Sequence, residues 1–233
     1  MGPNAIIIPT ALEAGIIIEN ISEQEQFYLQ GKRISKGVIR GTPVILCLCG
    51  VGKANAAHCA ALLLGKFRPS SVFVLGVAGA YPSTGLSIGD IVIGEREFYG
   101  DEGLLTDSGI RAMDAMGMPL AETDSGSYYN EFPLVVPEEL KDHKKKGAFV
   151  TVSACSGTAK RGLELEKRFN ALCENMEGAA VAHVGVLNGV GVAEIRGISN
   201  IIADRDGQPL DREALLTAAE NAQRFFIEKM TGK

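Results

Sequence analysis

The sequence predicts an α/β domain in which a central sheet is covered by helices on both faces, an α/β/α arrangement. Three observations carry this. Apolar runs of strand length alternate with segments of helical period. Several runs are apolar continuously instead of alternately, the pattern of strands buried on both faces. No Pro/Gly/Ser linker and no internal repeat divides the 233 residues, a length that fits one α/β domain comfortably.

Taken in order, "NAIIIP" at 4–9 reads as the first strand and 11–20 as the helix after it. Residues 27–42 look like a hairpin that pairs with the next strand, "PVILCLC" at 43–49. "KANAAHCAALLLGK" at 53–66 reads as a helix and "SVFVLGV" at 71–77 as a strand, with part of "IGDIVI" at 88–93 a further one. Residues 100–132 are rich in Gly and Ser and lack a clear period, so they read as an excursion or lid over a site. "KDHKKK" at 141–146 reads as a solvated helix face. Strands are then expected at 148–153, 171–174 and 191–197, and helices at 158–167, 177–188 and 211–230.

Composition narrows the function classes. A net charge of −5 disfavours nucleic acid or an anionic membrane surface as the main partner, since either calls for a basic face. No apolar run approaches the ~20 residues that cross a bilayer, and the N-terminus has neither a basic region nor a long apolar one, so a cytoplasmic protein is expected. Five unclustered Cys read as reduced, separate thiols. Cys47 and Cys49 share one strand face, but no paired Cys/His set accompanies them, so no metal site is expected.

In α/β folds ligands sit beyond the carboxyl ends of the strands. Five such ends carry Glu13 in "PTALEAG", the small residues of "GVAGAY" at 76–81, "TVSACSG", Glu174 and Glu177 in "ENMEGAA", and Ser199 with Asn200. Carboxylates, a carboxamide and Gly/Ala-rich backbone suit a polar small molecule with hydroxyls and a heterocycle. Each residue also has a plainer reading. Glu13 can face solvent on the first helix, Glu177 can be a carboxylate at a helix N-terminus, and Asn200 can cap the 201–206 loop. "GVGKA" at 50–54 lacks the spacing of a phosphate loop and reads as a tight strand-to-helix turn with a capping role. GxGxxG and GxSxG are absent, which removes the fingerprints of a dinucleotide site and of a nucleophile elbow.

The pieces "ALEAG", "GVGKANAA", "GVAGAYPSTGLSIGDIVI", "NMEGAAVAHV" and "IRGISN" together resemble the nucleoside phosphorylase/hydrolase superfamily, in its methylthioadenosine/S-adenosylhomocysteine nucleosidase branch. The resemblance runs over nearly the whole chain, and within the branch "TVSACSGTA", "ENMEGAAVAHV" and "EIRGISN" are most similar to the futalosine hydrolases. It implies a three-layer α/β/α sandwich around a central mixed sheet, nucleoside phosphorylase-like. By position it puts the water-activating glutamate on Glu13, the ribose-binding pair on Met176 and Glu177, the wall beside the sugar on Val77, Ala78 and Gly79, and the segment reading the base edge on Ala154 and Cys155. It implies a purine nucleoside as substrate, no cofactor, no metal, and a homo-oligomer, with a dimer favoured.

Asn200 stands where the adenine-specific nucleosidases carry a catalytic Asp. A 6-oxopurine offers acceptors at both N7 and O6, so an ionised carboxylate there would set acceptor against acceptor. A carboxamide donates from its NH2 at every pH. Asn200 thus points to a hypoxanthine-type base, and the resemblance implies hydrolysis of futalosine to hypoxanthine, with Glu13 as general base and Glu177 on the ribose hydroxyls. Asn200 would act at N7/O6 helped by Ser199 or backbone groups, with the N7 proton coming from solvent or a relayed donor such as Asp204. The alternatives are methylthioadenosine/S-adenosylhomocysteine nucleosidase and a 6-oxopurine phosphorylase; against phosphorolysis stands the lack of Arg in "PTALEAG" and "GVAGAYPSTG". The 100–132 excursion and Arg96 or Arg196 are the candidates for the 5′ aromatic acid.

Overall fold

The computed structural model describes residues 2–107, 109–209 and 211–232. Ten strands form one mixed sheet: β1 (Asn4–Ile8), β2 (Ser22–Leu29), β3 (Lys32–Ile39), β4 (Thr42–Leu48), β5 (Ser71–Ala80), β6 (Ile91–Tyr99), β11 (Glu131–Pro133), β12 (Lys146–Thr151), β13 (Ala171–Asn175) and β14 (Val192–Ile201). The intervening short strands pair off the sheet, β7 (Leu104–Thr106) with β8 (Gly109–Arg111) and β9 (Ala121–Thr123) with β10 (Gly126–Tyr128). Among the described residues, five α-helices cover the sheet: α1 (Gly15–Asn20), α2 (Lys53–Phe67), α3 (Ala159–Phe169), α4 (Gly178–Leu187) and α5 (Arg212–Met230). The fold is a three-layer α/β/α sandwich.

The continuous apolar strands are where the sheet is covered twice. Ile6, Ile7 and Ile8 of β1 are all fully buried, but Ile7 belongs to the cluster with Cys59 and Leu63 of α2, while Ile6 and Ile8 pack with Ile17 of α1 and Phe226 of α5. A strand with one wet face would have to alternate; this one has two dry faces and does not. The hairpin of β2 and β3 adds antiparallel strands to β4 at one edge, as its sequence suggests.

At the other side the sheet closes on itself. β14 runs parallel to β5 and antiparallel to β6, β6 pairs with β12, β12 with β13, and β13 returns antiparallel to β5. This ring of five strands puts the ends of β5, β13 and β14 side by side. α5 lies on β14 so closely that a Cβ at Gly197 would overlap the backbone of Ala218. The overlap is with main chain, which cannot swing aside as a side chain can. Gly197→Ala is therefore expected to lower stability by about 1–3 kcal/mol, read as a fall in denaturant midpoint at unchanged m-value.

Several elements differ from the sequence expectation. α1 starts at Gly15 because residues 10–14 form tight turns, with Glu13 N–H donating to Thr10 O at 3.2 Å. β6 begins after the turn 87–90, which Asp90 closes by accepting from the Ser87 N–H at 2.8 Å, and then runs six residues beyond Ile93. "KDHKKK" is not a helix face: it follows a single 3-10 turn and leads into β12, with Lys145 paired to Asp90 at 2.6 Å. The stretch 100–132 is built largely of short hairpins, pinned to the core by Asn130, whose amide donates to Tyr99 O and Glu102 O. The five thiols are not all separate: Cys47 on β4 and Cys59 on α2 lie sulfur to sulfur, and Cys49, Cys155 and Cys173 are free. Two residues on different elements share no spacing signal, so the sequence carries no trace of that pairing.

Candidate active site

The ends of β1, β5, β13 and β14 surround a cavity of about 560 Å³, completed by the turn after β4 and the first turn of α5. Glu13, Val77, Ala78, Gly79, Cys155, Met176, Glu177, Ser199 and Asn200 all line it. Ala154 does not; it is exposed on the loop after β12, while its neighbour Cys155 faces the cavity. Among the described residues, the 100–132 stretch contributes none to the lining.

Glu13 is buried, so the solvent-facing reading falls. Its Oε2 accepts from the Thr10 hydroxyl at 2.7 Å and its Oε1 from the Val77 N–H at 3.1 Å. Burial pushes its carboxyl above the ordinary glutamate value of 4.5, and the Glu177 charge adds to that. The Thr10 hydroxyl, the Arg196 charge and the Val77 N–H oppose the rise. A carboxylate so placed is a stronger base than one in water, and the two donors fix its direction.

Glu177 opens α4 but does not cap it. That task falls to Asn175, whose Oδ1 accepts from the N–H groups of Glu177 and Gly178 at 2.9 and 2.7 Å. The Glu177 carboxylate is thereby left for other partners. Its Oε1 accepts from the Gly52 N–H at 2.9 Å, and its Oε2 lies 3.5 Å from Arg196 Nη1. Gly52 sits at φ +98°, in the left-handed region that favours glycine, and this is what turns its N–H toward Glu177. The "GVGK" turn thus gives its Gly52 N–H to a carboxylate.

Behind Glu177 lies a buried ionic group that the sequence does not announce. Arg196, with no solvent exposure, donates from Nε to Glu194 at 2.8 Å and from Nη2 to Asn175 at 3.2 Å. Glu97 is equally buried and takes hydrogen bonds from the Thr151 hydroxyl at 2.9 Å and from the Asn175 amide. Burial first, and then the Glu194 charge, drive the Glu97 carboxyl well above the ordinary range. Glu194 Oε2 has no hydrogen-bond partner among the described residues. One guanidinium faces two anions, Glu194 and Glu177, and both hold it charged; its own pKa is raised despite burial. Arg196 is fully committed here and cannot meet a substrate acid; Arg96 pairs with Glu131 at 3.6 Å and does not line the cavity.

Asn200 ends β14 beside Ser199, whose hydroxyl donates to Asn200 Oδ1 at 3.0 Å. This sets Nδ2 over Gly79, where a Cβ would approach it to 3.0 Å. No hydrogen bond ties Asn200 to the 201–206 loop among the described residues, so the capping reading falls. Asp204 is exposed and accepts from the Ala159 N–H at 2.9 Å, which removes it as a relay. Glu174, noted in the sequence only as a strand-end carboxylate, lines the cavity as well. It is buried and receives a donor on each oxygen from Ser156, N–H at 2.6 Å and hydroxyl at 2.7 Å, while burial raises its pKa. Across the sheet Glu174 and Asn200 both stand in register with Gly79, one on each side. Among the described residues no group of His, Cys, Asp and Glu is placed to hold a metal ion.

The family model of the phosphorylase superfamily matches residues 3–229. A futalosine hydrolase of Thermus thermophilus is 32% identical over 96% of this chain and 95% of its own length. A 5′-methylthioadenosine/S-adenosylhomocysteine nucleosidase of Maridesulfovibrio salexigens is 30% identical over 83% and 84%. In fold, the chain superimposes with a TM-score of 0.83 on the nucleosidase of that name from Neisseria meningitidis, solved with methylthio-immucillin-A, at 22% identity and 98% coverage of each chain. On its sequence, the chain belongs to the phosphorylase superfamily.

Proposed function

We propose that this chain hydrolyses the N-glycosidic bond of a 6-oxopurine nucleoside, and that the nucleoside is futalosine. The observation that carries the base assignment is the slot across Gly79, with the Asn200 amide on one side and the Glu174 carboxylate on the other. Hypoxanthine presents acceptors at O6 and N7 and a donor at N1. A carboxamide and a carboxylate flanking one plane match that pattern, whereas adenine offers a 6-amino donor and an N1 acceptor. The similarity to the Thermus thermophilus futalosine hydrolase supports the substrate.

In this reading the C1′–N9 bond breaks with its electron pair passing to the base, which takes up a proton from solvent. Water adds to C1′ and gives its proton to Glu13. Glu177 accepts hydrogen bonds from the ribose hydroxyls and stabilises the positive charge that develops on the sugar. Three carboxylates, Glu13, Glu174 and Glu177, line the interior, which suits a neutral nucleophile better than phosphate. A dimer belongs to the same reading and is checked by light scattering.

The test is free-base release from futalosine, methylthioadenosine and inosine, with and without phosphate. Hypoxanthine freed from futalosine without phosphate, with methylthioadenosine intact, is the expected result. Adenine freed from methylthioadenosine, the reading that the nucleosidase relatives favour, would overturn it, and phosphate dependence would reassign Glu13. Asn200→Asp sharpens the base assignment. With an ionised carboxylate facing O6 and N7, kcat/KM for the 6-oxopurine substrate is expected to fall about 10–100-fold, the usual cost of leaving buried acceptors opposed.

A further inference from the structure

We infer that Glu194 is a positioning residue for the sugar site: by holding the Arg196 guanidinium back, it leaves the Glu177 carboxylate free to take the hydroxyls of the nucleoside. The inference rests on the reading of Glu177 given above and adds to it a residue that never touches substrate. A carboxylate that is to accept from two vicinal hydroxyls has to keep lone pairs open. Glu177 Oε1 already takes the Gly52 N–H at 2.9 Å, so Oε2 is its less committed oxygen. Arg196 Nη1 stands 3.5 Å from Oε2, at the edge of hydrogen-bonding distance. Left to themselves, a guanidinium and a carboxylate close to about 2.7–2.9 Å, often through two parallel N–H groups.

What holds Arg196 at that distance is Glu194. Its Oε1 takes the Arg196 Nε–H at 2.8 Å, the shorter of the two ionic contacts. The other guanidinium nitrogens reach neutral acceptors, Nη1 to Val77 O at 3.3 Å and Nη2 to Asn175 Oδ1 at 3.2 Å. Glu194 stands two residues before Arg196 on β14, so both side chains lie on one face of the strand. It has no solvent exposure and is not among the residues lining the cavity, so contact with a nucleoside does not account for it. Nor does the neutralisation of Arg196, since Glu177 alone supplies one negative charge. The second carboxylate is accommodated at a cost, because Glu194 Oε2 has no hydrogen-bond partner among the described residues. Space for it comes from Gly178, the first residue of α4, where a Cβ would overlap the carboxyl oxygens of both Glu194 and Glu97. With Glu194 offsetting the guanidinium, the charge of Glu177 stays available for the positive charge that develops on the sugar.

Glu194→Gln keeps the volume and an oxygen for the Nε–H but removes the charge. In a crystal structure of the ligand-free variant, the contact between Arg196 Nη1 and Glu177 Oε2 is expected to contract from 3.5 Å to about 2.9 Å. The functional readout is the ratio of kcat/KM for futalosine to that for 2′-deoxyfutalosine, expected to fall about 10-fold in Glu194→Gln. Glu194→Asp changes the shape more but keeps the charge, and is expected to hold the ratio within about twofold. A merely structural residue would do the reverse, so a ratio kept by Gln or lost by Asp would overturn the inference. If the Gln variant does not fold, the Asp variant decides alone. Glu177→Gln separates this from the reading it rests on. A ratio unmoved by Glu177→Gln takes down the sugar role of Glu177 and the inference with it. A ratio lowered by Glu177→Gln and not by Glu194→Gln overturns the inference alone. If futalosine is not cleaved, the substrate reading fails and the contact still decides: contraction supports the inference, and a contact of 3.5 Å or longer overturns it.

Discussion

Glu13→Gln is expected to lower kcat for nucleoside hydrolysis by about 10²–10⁴-fold with little change in KM, the range associated with losing a positioned general base. The amide has nearly the same volume; its oxygen can accept from the Val77 N–H, which meets Glu13 Oε1 at 3.1 Å, while its NH2 donates to the Thr10 hydroxyl oxygen, which lies 2.7 Å from Oε2. What it cannot do is take a proton from water. Activity and stability should therefore part company. Burial raises the native pKa of Glu13 above its ordinary 4.5, so between those two values the folded protein binds a proton that the unfolded chain has released. Stability contributed at this position is thus lost as pH rises through that interval. Glu13→Gln removes that loss, and its denaturant midpoint near pH 7 should equal or exceed that of the natural protein. The same raised pKa places the acid limb of the kcat/KM profile above 4.5. A variant that loses activity together with its fold, or an acid limb at or below 4.5, would refute a base in this position.

How much of this was legible in the sequence depends on how each residue gets its role. Glu13, Glu177 and Asn200 are strand-end residues, and a strand end in an α/β fold points at the site whatever the register. Their convergence, with that of Val77, Ala78, Gly79 and Ser199, could be anticipated from topology and resemblance. Glu97, Glu194 and Arg196 are different. Each lies mid-strand, in runs that read as ordinary core or surface, and they meet because β14 pairs with β5 and β6 at once. That closure has no local sequence signal. Arg196 was accordingly expected to meet substrate, when its register buries it behind Glu177. Asn175 was passed over for a similar reason, since capping α4 from outside depends on the bend between β13 and the helix. The faces of β1 were legible because burial on both sides is written directly into Ile6, Ile7 and Ile8.

Arg196→Met is expected to lower stability by about 3–5 kcal/mol, the usual cost of removing one member of a buried ionic group and leaving its partners without a counter-charge. Arg196 is the only cation in contact with Glu194 and Glu177 among the described residues, and all three are nearly or fully buried. Replacing it by an apolar side chain therefore leaves the anions in place with nothing to offset their desolvation. The loss should depend on pH with a definite sign. Arg196 lowers the pKa values of Glu97, Glu194 and Glu13, which burial has already raised above 4.5. Without it those native pKa values rise further, the folded variant holds its protons to higher pH than the unfolded chain does, and stability falls more steeply with rising pH than in the natural protein. Denaturant midpoints at pH 5.5 and pH 8 read this directly, and a deficit that shrinks toward pH 8 would contradict the arrangement of charge described above. Adding Glu194→Gln to Arg196→Met should recover part of the loss at pH 8, since it removes one of the stranded anions. It should not restore turnover, because Glu177 would still lack the guanidinium that, with the Gly52 N–H, holds its carboxylate at the cavity wall.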